Sequence, residues 1–166
     1  MTDSGAVRLH LPDAEATARL ADALATTAPA PAMVHLRGDL GAGKSTLARA
    51  WLRALGVEGA IRSPTYTLVE RYALAGGAEA LHLDLYRIGD AGELEFLGLD
   101  GAEAALWLVE WPERGARALP VADLQVSLAI AGEGRDAALE AGTAAGIAWL
   151  DRLVQECQLR DLPASV

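Results

Sequence analysis

The sequence predicts an α/β fold with a mixed central sheet, partly parallel and partly antiparallel, flanked by helices. Three observations predict it. Strand-like and helix-like apolar periodicities alternate through the first two thirds of the chain. A glycine-rich segment joins a buried strand to an amphipathic helix. Two alternating strands near the end face each other across Gly132-Glu133-Gly134, as in an antiparallel hairpin.

Each element follows from its own pattern. Residues 7–11 read as a short strand, and Pro12-Asp13 supplies a turn and a cap for a helix carrying Leu20 and Leu24, which Ala28-Pro29-Ala30-Pro31 ends. Residues 32–36 form a buried strand. The helix from 44 to 55 carries Leu47, Trp51, Leu52 and Leu55 on one stripe and closes at Gly56. Residues 63–72, rich in β-branched and aromatic side chains, read as a strand turning at Gly76-Gly77. In the returning strand, 81–86, alternation sets His82, Asp84 and Tyr86 on one face and Leu81, Leu83 and Leu85 on the other, the apolar set marking the buried side. A short helix is expected over 93–99. Residues 105–109 are unbroken apolar and belong in the middle of a sheet covered on both faces. Leu124, Val126, Leu128 and Ile130 alternate, as do Ala137, Leu139 and Ala141, and a closing helix puts Ile147, Leu150, Leu153, Val154 and Cys157 on one face.

The chemistry concentrates in Gly38-Asp39-Leu40-Gly41-Ala42-Gly43-Lys44-Ser45, a complete G-x-x-x-x-G-K-[ST] phosphate-binding loop in its strand-loop-helix setting. Of the 14 basic residues, Lys44 alone is lysine. A slim ammonium can reach between phosphates where the planar fork of arginine fits poorly. The loop glycines let successive N–H groups turn inward around an anion at the positive end of the helix. Asp39, Leu40, Gly41, Ala42, Gly43, Lys44, Ser45 and Thr46 form the nucleotide-contacting stretch, and the Ser45 hydroxyl suits Mg²⁺.

A hydrophobic strand beside such a loop usually ends in an acidic residue that holds Mg²⁺ directly or through water, and Glu110 is the first candidate. Asp84 is the second, because an unpaired charge on an otherwise apolar strand is costly. The ordinary alternatives are a solvated strand end for Glu110, and a pairing with Arg87 or a hydrogen bond to Tyr86 for Asp84. Thr65, after Ser63-Pro64, invites comparison with threonines that sense a γ-phosphate and its metal, against a plain β-branched strand residue. Arg135, in the hairpin turn, can touch phosphate or adenine, or stand solvated. Trp111 can support Glu110 or a partner surface, or simply pack. The histidines at 10, 35 and 82 show no metal-ligand spacing.

Composition limits the partners. A length of 166 residues suits one domain, taken as 1–166, able to bury about two thirds of its unfolded surface without a staple. With 14 basic against 23 acidic residues the net charge is -9, which disfavours direct contact with RNA. The lone Cys157 excludes an internal disulfide, suits a reducing cytosol and fits core packing. No apolar run reaches membrane-spanning length and no basic-then-apolar leader is visible, so a soluble, unprocessed, cytoplasmic protein is expected.

The ordered motifs resemble one family over nearly the whole chain. The phosphate loop, Ser63-Pro64-Thr65-Tyr66-Thr67-Leu68, His82-Leu83-Asp84-Leu85-Tyr86-Arg87, Glu93-Leu94-Glu95-Phe96-Leu97-Gly98-Leu99 and Val109-Glu110-Trp111-Pro112 look like the successive motifs of the bacterial threonylcarbamoyladenosine biosynthesis ATPases, the TsaE (YjeE) family. The resemblance implies a small cytoplasmic ATPase that binds ATP and Mg²⁺ and works with the TsaD and TsaB proteins. Together they place a threonylcarbamoyl group on the adenosine beside the anticodon of certain tRNAs, with the tRNA gripped by other subunits. It also implies that Lys44 and the loop amides hold the phosphates, that Ser45 and Glu110 hold Mg²⁺, and that Asp84 and Thr65 belong to the hydrolytic or switch region. Ser45 stands where the family commonly has threonine, which retains the hydroxyl. Arg135 lies in a segment that varies more among such proteins.

Three rival classes share the loop. A small-molecule kinase should add an acceptor pocket and an arginine-rich lid. A regulatory GTPase needs an Asn-Lys-x-Asp element, which a chain whose only lysine is in the loop cannot supply. A binding module would hold ATP without turnover.

Overall fold

In the computed structural model the described residues are 5–90, 92–94, 99, 103–115 and 118–156. Seven strands form one sheet: β1 (Ala6–Leu11), β2 (Ala32–Arg37), β3 (Val69–Ala73), β4 (Glu79–Asp84), β5 (Leu106–Glu110), β6 (Leu124–Ala131) and β7 (Gly134–Ala141). Their spatial order is β1-β7-β6-β2-β5-β4-β3. The middle, β6-β2-β5-β4, is parallel, and β1, β7 and β3 join antiparallel at the edges. The mixed sheet is therefore as expected, with its parallel part central.

Three helices, α1 (Ala14–Thr27), α2 (Lys44–Ala54) and α3 (Ala144–Gln155), contribute to one large core. Leu20 and Leu24 of α1, Leu47, Trp51 and Leu52 of α2, and Trp149 and Leu153 of α3 meet Val34, Leu36, Leu108, Val126 and Leu139 of the sheet there. The rings of Trp51 and Trp149 meet edge-on at 5.9 Å between centroids, a geometry worth about 1 kcal/mol beyond area burial. A second cluster, with Leu81, Leu83, Leu85 and Val109, covers the other face of β4 and β5. Among the described residues no helix is long and apolar enough to cross a membrane.

Several local expectations are corrected. Residues 64–67 form a turn rather than a strand: the Leu68 N–H donates to the Pro64 carbonyl at 2.8 Å, Leu68 adopts φ +68°, and β3 starts only at Val69. Both faces of β4 are buried, because β4 lies inside the sheet, so His82 and Asp84 are as enclosed as the leucines. On α3 the buried set is Gly146, Trp149, Leu150 and Leu153, while Ile147 and Val154 are exposed. The Trp149 indole N–H donates to Thr27 Oγ1 at 3.0 Å, which seats Trp149 against α1. Arg135 is the second residue of β7 rather than a turn residue. The helix expected over 93–99 has only 92–94 described, as a 3-10 turn, and Leu99, outside any helix; 95–98 and Cys157 lie outside the described residues.

Candidate nucleotide site

The parallel centre of the sheet brings three sequence-predicted groups to one edge. β2, β5 and β4 are neighbours running in the same direction, so the loop after β2, Glu110 at the end of β5 and Asp84 at the end of β4 all emerge at their carboxyl ends. Parallel α/β sheets commonly bind ligands at that edge. The register pairs Leu36 with Glu110 and Asp84 with Glu110 across adjacent strands.

The loop itself is shaped by its glycines. Gly43 caps α2 at φ +106°, a conformation that side chains resist. At Gly38, φ is +148° and a Cβ would lie 2.5 Å from the Leu128 carbonyl oxygen, so the loop can cross β6 only without a side chain there. The other two helices are capped by side chains: Asp13 Oδ1 accepts from the Ala16 N–H at 2.9 Å, and Thr143 Oγ1 from the Gly146 N–H at 3.0 Å. No side chain caps α2. Its first-turn N–H groups are therefore free to meet an anion at the positive end of the helix dipole.

Lys44 opens α2 and is nearly buried, at 5 % exposure. Its Nζ donates to the Gly38 carbonyl and, at 3.2 Å, to the Asp39 carbonyl. The ammonium also lies 4.0 Å above the centre of the Trp111 ring. Burial pulls its pKa below the ordinary 10.5, opposed by the negative charges of Glu110, Asp84, Glu113 and Asp39. Trp111 takes φ +55°, rare for a bulky residue, and this turn of the backbone after β5 accompanies the placement of its ring below Lys44 and 4.8 Å from the Tyr86 ring.

Ser45 and Glu110 meet directly. The Ser45 hydroxyl lies 3.0 and 3.1 Å from the two Glu110 carboxylate oxygens. Glu110 is only 2 % exposed, so it is no solvated strand end. Asp84 accepts from the Tyr86 N–H at 3.0 Å and lies 3.4 Å from the Thr65 hydroxyl. Burial pushes its carboxyl above the ordinary 3.8, with the neighbouring Glu110 adding to the rise and the Tyr86 N–H opposing it. The turn at 64–67 thus sets Thr65 beside Asp84. From the other side Arg135 donates from Nε to the Ala42 carbonyl at 3.1 Å and from Nη2 to the Gly41 carbonyl at 3.2 Å, bracing the loop.

These groups line a cleft of about 420 Å³, from Asp39 to Thr46 along one wall and with Thr65, Asp84, Glu110 and Arg135 around the rest. A cleft of about 240 Å³ adjoins it, sharing Ala42, Gly43, Thr46 and Arg135 and extending over Leu11, Thr17 and Leu128. Every sequence-predicted site residue falls on the first. Two residues were missed. His82 lies 2.6 Å from Glu110 through Nε2, and Tyr86 lines the cleft beside Trp111. The alternation that set His82 with Asp84 was the available signal.

The donor set fits Mg²⁺ arriving with a nucleotide. Two carboxylates on neighbouring strands and a hydroxyl are oxygen ligands of the kind Mg²⁺ accepts. Among the described residues no group of three or more His, Cys, Asp or Glu is arranged to hold a metal alone. Mg²⁺ typically takes one or two protein ligands and completes its shell with phosphate and water.

Comparison with known proteins agrees with this geometry. The family model described as threonylcarbamoyl adenosine biosynthesis protein TsaE matches residues 11–137. The Haemophilus influenzae protein named tRNA threonylcarbamoyladenosine biosynthesis protein TsaE is 46% identical over 116 residues, covering 69% of this chain and 73% of its own. The Bacillus subtilis protein of the same name is 36% identical over 121 residues, 72% of this chain and 75% of its own. The crystal structure of Bacillus subtilis YdiB superposes with a TM-score of 0.76 at 25% identity, covering 91% of this chain and 95% of that one. With the family model spanning the strands and the loop that build the cleft, the chain belongs to the TsaE family.

Proposed function

We infer that this chain binds ATP with Mg²⁺, hydrolyses it slowly alone, and supports TsaD and TsaB in threonylcarbamoyl modification of the adenosine adjacent to the anticodon in tRNA, in the cytoplasm. The observation that carries the reading is the contact of the Ser45 hydroxyl with the buried Glu110 carboxylate below the uncapped end of α2.

In this reading the N–H groups of residues 41–46 and the Lys44 ammonium hold the phosphates, and Ser45 and Glu110 hold the metal. When bound, Mg²⁺ neutralises charge on the β- and γ-phosphate oxygens. Arg135 keeps the Gly41 and Ala42 carbonyls turned toward the hairpin, which favours amides that face the ligand. The adjoining cleft over Leu11, Thr17 and Leu128 has room for the base. Asp84 and Thr65 stand where a nucleophilic water or a γ-phosphate sensor is needed, although fast phosphoryl transfer also needs positive charge at the transition state. Arg87 lines the cleft mouth but lies with its guanidinium 4.5 Å over the exposed ring of Tyr66. Partner binding completes or orders the site. The net charge of -9 accords with tRNA held by other subunits.

Phosphate release is the test. ATP turnover should be slow for the chain alone and rise severalfold or more with TsaD and TsaB. Equal turnover with and without them refutes partner dependence, phosphate transfer to a metabolite points to a kinase, and binding without turnover under every condition leaves a binding module.

A further inference from the structure

His82 has no role in the reading above, yet it is the most enclosed polar neighbour of Glu110. It lies two residues before Asp84 on β4, opposite Leu108 in register, so strand alternation aims it at the same face as Glu110 on β5. Both side chains are 2 % exposed. A carboxylate only accepts, so the imidazole Nε2–H is the donor to Glu110 Oε2, at 2.6 Å. The other ring nitrogen, Nδ1, is buried and has no hydrogen-bond partner among the described residues.

That asymmetry separates a structural histidine from a functional one. A histidine held in the core for stability satisfies both nitrogens, because an orphaned buried acceptor costs stability. On this strand the purely structural positions are filled by leucine, at Leu81 and Leu83, with nothing left unsatisfied. A histidine tolerated with one bare nitrogen is therefore explained by what the other nitrogen does.

We propose that His82 is a positioning residue: by fixing Oε2 of Glu110 it sets the plane of the carboxylate, so that Oε1 is the oxygen presented to a divalent cation beside Ser45. Without the imidazole the carboxylate is free to rotate about its last torsion, a broad one, and can turn either oxygen, or both, toward the cation. Partners that orient metal-holding groups from behind commonly change metal affinity about 10- to 100-fold when removed. The proposal rests on the reading of Glu110 as a metal-holding group.

The test titrates Mn²⁺ into the full chain saturated with a non-hydrolysable ATP analogue, following bound and free Mn²⁺ by electron paramagnetic resonance. His82→Leu should raise the Mn²⁺ dissociation constant about tenfold, while analogue affinity in EDTA changes less than about twofold. His82→Gln, which can carry an N–H to the same oxygen, should recover most of the loss. Glu110→Gln is the control. If it weakens Mn²⁺ while His82→Leu binds like wild type, the positioning role is overturned and the metal reading stands. If Glu110→Gln also binds Mn²⁺ like wild type, both are overturned. Should His82→Leu fail to fold, His82→Gln against the shorter His82→Asn decides, and equal Mn²⁺ affinities for those two overturn the proposal.

Discussion

Lys44→Met removes one charge while keeping a stem of similar length, and the structure says that affinity and stability should respond differently. An ammonium about 4 Å from a phosphate charge gains roughly 4 kcal/mol at an effective dielectric of 20. Lys44 is not idle without a ligand: it donates to the Gly38 and Asp39 carbonyls and rests on the Trp111 face. Exchanging those contacts for phosphate offsets about 1–2 kcal/mol of the gain. The net loss in the variant is then about 2–3 kcal/mol, or about 30- to 150-fold in Kd. Stability should not fall, since burial pulls the Lys44 pKa down and the fold thus favours the uncharged form. Calorimetric titration with MgATP gives the first quantity and thermal unfolding the second. A folded variant whose Kd rises less than about threefold would refute the ammonium-phosphate assignment.

Three further outcomes follow from the same geometry. Glu110→Gln should raise the Mg²⁺ concentration needed for half-maximal turnover by about tenfold or more with a smaller change in nucleotide affinity, and an unchanged Mg²⁺ titration removes Glu110 from the metal site. Asp84→Asn should raise the melting temperature at pH 7. The folded Asp84 carboxyl sits above the ordinary 3.8, so the folded state binds the extra proton and wild-type stability falls as pH rises through that window. The advantage of the variant should fade below pH 3.8, and a variant less stable at pH 7 contradicts the desolvation argument. Gly38→Ala sets a Cβ 2.5 Å from the Leu128 carbonyl at φ +148°, so it should destabilise by about 1–3 kcal/mol in urea unfolding, and a neutral change would deny the close crossing of the loop and β6.

The legible parts of this molecule are those whose signals are local. The loop motif, the apolar run into Glu110 and the Gly132-Glu133-Gly134 hairpin each carry their structure within about a dozen residues, and the sheet places them as read. Residues 63–68 misled because Thr65, Tyr66 and Thr67 carry strand-like side chains while the backbone obeys the Pro64 turn and a left-handed Leu68. The α3 stripe was misplaced because Ile147 and Trp149 compete for the core, and the outcome depends on Thr27, 122 residues away from Trp149. His82 was invisible as a partner of Glu110 for the same reason: their contact exists only once β4 and β5 pair in parallel. Site chemistry was legible wherever a motif names it, and the groups that hold the motif in place were not.

A crystal structure of the chain with Mg²⁺ and a non-hydrolysable ATP analogue tests the nucleotide reading most directly. The triphosphate should lie against the N–H groups of residues 41–46 with Lys44 turned onto it, and Mg²⁺ should lie between the phosphates, Ser45 Oγ and Glu110. A well-folded protein at saturating analogue with no nucleotide at that loop, or with the metal away from Ser45 and Glu110, would contradict it.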